Sequence, residues 1–233
     1  NTNMSRPDQV QGASAIDHVK TTNTQTTLTA DTSIRSLCVT NGCHNDLGGY
    51  TLDIVSGGLL NRGGSYAMPN GTLTSSGGSL FLYNLGTAMT NGAAIVGAGV
   101  SVTTVGSQTF GGTNTFGGQL YVNSGTLTLS GENTGVNEAT VTPGAVLSLQ
   151  NANALPAALK LNLLYDGEEY GKITNAFANV AVGVLTLNGV RQIAGTYGAT
   201  GSSCQYTNNY YFAGTGTLVV PPERGRGTVF RIQ

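Results

Sequence analysis

Four evenly spaced windows constrain this chain more than any other feature. GGLLNRG opens at Gly57, GGSLFLY at Gly77, GAGVSVT at Gly97 and GGQLYVN at Gly117. Each begins with glycine and carries an aliphatic residue three positions on, at Leu60, Leu80, Val100 and Leu120. Two positions further stand Leu82, Val102 and Val122, with Arg62 breaking the pattern in the first window. A second register, Leu127 and Leu129 with Leu147 and Leu149, keeps the same interval. Such spacing marks a repeat architecture, in which each unit buries its apolar side against the next.

Within a window apolar and polar residues alternate, the period of a strand with one buried face. The runs are short, and Gly, Asn and Ser end them, as residues that tolerate tight corners do. The expectation is an all-β solenoid, a parallel β-helix of about 20 residues per coil. Each strand would pair in parallel with its equivalent one coil away, about 4.8 Å along the axis. Leu60, Leu80, Val100 and Leu120 would then form one interior file. An antiparallel sandwich would explain the alternation but not the constant interval. The one helical signal is NANALPAALKL at 151–161, where Pro156 suits a single short turn.

Charged residues make up 9%, against roughly 25% in an ordinary soluble domain. Thr, Asn and Ser take their place. A net charge of −1 supplies no electrostatic footprint for nucleic acid. No apolar run is long enough to cross a bilayer as a helix.

The run FGGTNTFGGQLYVNSGTLTLSG at 110–131 resembles the autotransporter-associated β-strand repeat. Gly112-Thr113-Asn114-Thr115-Phe116-Gly117-Gly118 matches its lead, and Val122-Asn123-Ser124-Gly125-Thr126-Leu127-Thr128-Leu129 its continuation. LTLNGVRQIAGTYGATGSS (185–203) and YFAGTGTLVV (211–220) are similar to the region that ends such proteins. The resemblance covers about 34–220. It implies a right-handed parallel β-helix, export, and a place outside or on the surface of a Gram-negative bacterium. Four parts are expected: an arm or cap at 1–33, β-helix repeats at 34–160, coils and hairpins at 161–220, and a linker with a terminal strand at 221–233. No barrel or sorting tail follows Val220, so self-export is not expected.

Chemistry-bearing residues are sparse. At the repeat interval no two acidic residues share a column, and Asp46 and Asp53 read as surface residues. YDGEEY (165–170) reads as a hairpin turn rather than a calcium loop, which would alternate its ligands. Cys43-His44-Asn45-Asp46 supplies too few ligands for zinc, and His18 stands alone. Cys38 and Cys43, flanking an Asn41-Gly42 turn, suit either a small disulfide loop or two buried thiols; Cys204 is left over. Neither enzymatic activity nor a cofactor is expected. Ten tyrosines and no tryptophan leave the cluster at Tyr206, Tyr210 and Tyr211 as a glycan contact or as packing over the last coils.

The ends are the sharpest feature. A solenoid leaves unpaired strand edges that must be capped or joined to another chain. After Pro221-Pro222 and ERGRG, the tail GTVFRIQ alternates Thr228, Phe230 and Ile232 with Val229, Arg231 and Gln233. It reads as a strand that either folds back on its own subunit or is donated to the next. The expected partner is a further copy, joined head to tail through Thr228, Val229, Phe230 and Ile232, with the arm at Val10 and Ile16 receiving or covering. A filament subunit is the first functional expectation. A monomeric adhesin that binds cell-surface or matrix glycans is the second, and a polysaccharide-degrading enzyme the third.

Overall fold

The computed structural model describes residues 10–22 and 25–222. They form a parallel β-solenoid of about 8 turns, roughly 22 residues per turn, with no helix among them. A ten-stranded sheet runs from His18–Thr22 to Val190–Arg191, and a nine-stranded sheet from Gln25–Thr27 to Phe212–Ala213. A short third face pairs Thr32–Ile34, Thr51–Ile54, Thr72–Thr74 and Ala94–Ile95, and the Asn114–Asn133 bridge carries the same parallel pairing between later coils. The last coils close with a four-stranded sheet. There Gly195–Gly198, in the AGTYG segment, runs antiparallel to Leu218–Val220 of the GTGTLVV segment. The solenoid starts earlier than position 34, because His18–Thr22 already pairs with Ser36–Thr40. The turns at Asn151–Ala154 and Pro156–Leu159 do not extend into a helix.

Inward residues pile into files. One runs Val19, Leu37, Leu59, Leu82, Thr104, Val122, Val141, Leu163, Leu187. Its neighbour runs Leu80, Val102, Leu120, Ala139, Leu161, Leu185. Leu127 and Leu129 stack on Leu147 and Leu149, as their spacing predicts. Each fully buried Leu or Val contributes about 1.5–3 kcal/mol relative to exposure.

The coil length is not constant, which corrects the interval read from the glycines. Leu80 pairs with Val102 and Val102 with Leu120, so a long step is followed by a short one. Corners of unequal length absorb the difference. Leu80 and Leu120 do share a file, but the residue between them is Val102. Val100 is buried in the corner before that strand, where its N–H closes a turn on the Gly97 carbonyl. Leu60 is displaced further: it pairs with Tyr83 and Cys38 on the outward side, and Leu59 takes the interior place. A one-residue slip reverses every side chain of a strand.

The window glycines serve two purposes. Gly57 turns its corner at φ +75°. Gly117 does not need positive φ; a Cβ there would strike the Ala98 carbonyl of the preceding coil.

Buried asparagines hold the corners. Asn114 accepts the Ile95 N–H at 2.8 Å and donates to Asn133 Oδ1 at 2.9 Å, and Asn133 donates to the Ala154 carbonyl at 2.8 Å. Asn61 donates to Asn84 Oδ1 at 2.8 Å, and Asn84 to the Ser107 carbonyl at 2.6 Å. Corner backbone leaves amides without ladder partners, and a side-chain amide offers both a donor and an acceptor to replace them.

Candidate functional site: two unlike ends and a tyrosine shelf

At the first coil, His18–Thr22, Gln25–Thr27 and Thr32–Ile34 are the outer strands of three sheets. Among the described residues no strand pairs with their outer edges. The apolar interior behind them is closed. Val10 is wholly buried, its carbonyl accepts the Ala13 N–H, and Gln11 Oε1 accepts the Thr29 N–H at 2.9 Å. Ile16 does not share in that closure: it is 77% exposed. Among the described residues this end therefore finishes in strand edges over a closed core.

The other end differs. The chain reverses after Val184–Leu187, and Val190–Arg191 adds an antiparallel last strand to the ten-stranded sheet. Val190 and Ile193 are exposed beside it. A hollow of about 240 Å³ lies there, lined by Arg191, Gln192, Ile193, Ala194, Val220 and Pro221. The chain passes this hollow as it leaves the last strand, Leu218–Val220. Thr228, Val229, Phe230 and Ile232 lie outside the described residues.

The tyrosines gather differently from expectation. Tyr206 stacks on Tyr197 at 5.0 Å, away from the shelf formed by Tyr210. Tyr211 is only 7% exposed and meets Tyr170 edge-on at 5.0 Å. Tyr210 is 63% exposed and stacks on Tyr170 at 4.8 Å, which stacks on Tyr165 at 4.2 Å. Tyr165 and Tyr170 begin and end YDGEEY and bridge antiparallel across it, so the segment is the hairpin turn its DG pair predicts. Asp166 Oδ1 accepts the N–H groups of Glu168 at 3.0 Å and Glu169 at 2.9 Å. Those backbone bonds, that of Glu169 foremost, hold the Asp166 carboxyl below its ordinary range. Desolvation among the rings, with Tyr165 adding to it, raises the Tyr170 hydroxyl. Nothing local in the sequence marks Tyr170 as part of a cluster. The shelf shows only once strand Lys172–Asn175 is known to pair with Phe212–Ala213.

The remaining polar candidates serve the frame. His44 Nδ1 accepts the Ala67 N–H at 2.9 Å, and Asp46 accepts from Gly48 and Asn70. Asp53, on a different sheet, accepts the Ser76 N–H. His18 Nδ1 bonds the Ser36 hydroxyl at 2.7 Å. The Cys38–Cys43 disulfide is not formed. Cys38 sits in an outward row opposite Lys20 and Leu60, whereas Cys43 is buried with its thiol on the Thr40 carbonyl. Cys204 is free as well. Among the described residues no group of three or more His, Cys, Asp or Glu converges to hold a metal.

Comparison with protein-family models, with curated proteins and with solved structures returned no match.

Proposed function

We propose that this chain is the structural subunit of an extracellular or cell-surface filament, of the autotransporter-repeat kind its motifs resemble. Subunits join head to tail, the segment at 227–233 of one adding as a strand to the first coil of the next. The observation that supports this is the pairing of unlike ends. Among the described residues the first coil ends in three parallel strands over a closed core, while the last coil ends the ten-stranded sheet in an antiparallel hairpin. Simple stacking of coil on coil would need matching parallel edges at both ends. A tail strand removes that requirement, because β-augmentation needs only one receiving edge. An end-to-end contact between different surfaces propagates as an open filament when its rotation does not close a ring.

Electron microscopy of the purified chain with and without residues 221–233 tests the reading. Fibres are expected from the full chain and compact single particles from the truncated one. Fibres from both would exclude donation by the tail.

A further inference from the structure

The tyrosine shelf packs against the core through Tyr165 and Tyr170 and leaves Tyr210 exposed at its outer side. Tyr170 lies between Tyr165 and Tyr210, leaving Tyr210 to present its ring to solvent. Beside Tyr170 is an open hollow of about 290 Å³ lined by Gly144, Val146, Glu168, Glu169, Tyr170 and Lys172. Glu168, Glu169 and Lys172 make no side-chain hydrogen bond or ion pair among the described residues. Gly144, at φ +73°, borders the hollow beside the Glu169 carboxylate. The exposed Tyr210 ring thus lies one stacked ring away from a hollow bordered by two carboxylates and one ammonium that have no partner among the described residues.

We infer that this shelf binds a non-anionic hexopyranose chain, such as a neutral glucan or an amino-sugar polymer. A pyranose has an apolar C–H face and a rim of hydroxyls. The face suits the exposed Tyr210 ring, whose π surface is weakly negative. The hydroxyls donate to Glu168 and Glu169 and accept from Lys172, and hydrogen bonds to charged groups are the stronger class. Two carboxylates against one ammonium disfavour a uronic acid and favour an amino sugar, whose cation also gains from the ring. An open hollow admits a chain lying across it. Binding there is independent of filament formation.

Titration calorimetry of the full chain with three tetrasaccharides, of glucose, glucosamine and galacturonate, tests it. Saturable binding of the glucose or glucosamine tetramer is expected, with galacturonate at least about tenfold weaker. Tyr210→Ala should weaken binding at least about tenfold, while Tyr210→Phe, which keeps the ring, stays within about threefold. Tyr83→Ala, on the outward face of the ten-stranded sheet, serves as control and should change nothing. No binding of either non-anionic tetramer at about 10 mM, equal binding of galacturonate, or unchanged binding by Tyr210→Ala would each overturn the assignment.

Discussion

The side-chain amide of Asn114 donates to the side-chain carbonyl of Asn133, one coil further on, at 2.9 Å with both residues wholly buried. The two also bridge through their backbones. This link joins successive coils at a corner where no continuous strand passes. Removing one partner strands the other's polar atoms, at a cost of about 1–3 kcal/mol. Asn114→Ala and Asn133→Ala should each lower the denaturation midpoint, and the double variant should lose less than the sum of the two. Additive losses in urea melts would show that the amides act separately.

Register decides the cost of losing a leucine. Leu127 is buried in a file with Leu147, whereas Leu60 stands in an outward row. Leu127→Ala should cost about 2–5 kcal/mol through transfer and cavity terms, and Leu60→Ala less than about 1 kcal/mol. Equal losses in denaturant melts would place Leu60 inside.

Files are legible in the sequence where coils keep an even length, and corners are not. Leu127, Leu129, Leu147 and Leu149 are readable because the coil that separates them matches the spacing of the window glycines. Leu60 is misplaced because a spacing read from glycines cannot report corners of varying length, and one residue reverses a strand. Asparagine in the sequence suggests only strand ends and turns, and the stacking of corners is what makes Asn61 with Asn84, and Asn114 with Asn133, two buried pairs. The shelf joins Tyr165 and Tyr170 to Tyr210, which lies far along the chain; no local pattern links them. The hairpin at 165–170, by contrast, is plain from its Asp-Gly pair.

On the outward side of the ten-stranded sheet, Lys160 Nζ lies 2.8 Å from Glu138 Oε1, and Asn162 and Gln119 donate to the same carboxylate. The Lys160 bond foremost lowers the Glu138 pKa from its ordinary value of 4.5. Its stabilisation is therefore present above that unfolded value and lost as pH falls through the lower folded one. Both side chains are partly exposed, so the gain is below about 1 kcal/mol. Glu138→Gln should flatten the acid limb of the stability–pH curve slightly; an unchanged limb would assign that limb to other carboxylates.

Tyr66 is fully buried, and its hydroxyl donates to Asn45 Oδ1 at 3.1 Å. Burial, with Cys43 adding to it, raises the phenol far above its ordinary value, so the ring stays neutral across the physiological range. Tyr66→Phe should cost about 1–2 kcal/mol by leaving the Asn45 oxygen with one partner fewer. Thermal melts at neutral pH measure it, and a neutral result would mean that the asparagine finds another donor.

Completion of one subunit's first coil by the tail of another is tested most directly by a peptide titration. A synthetic peptide of residues 223–233 is added to isotopically labelled chain truncated after Pro222, and the backbone amides are followed by NMR. Saturable shifts at His18–Thr22 are expected, together with suppressed fibre growth when the same peptide is added to the full chain. Shifts confined to the hollow around Ile193 and Val220, or none at all, would contradict tail donation and leave the tail as a cap on its own subunit.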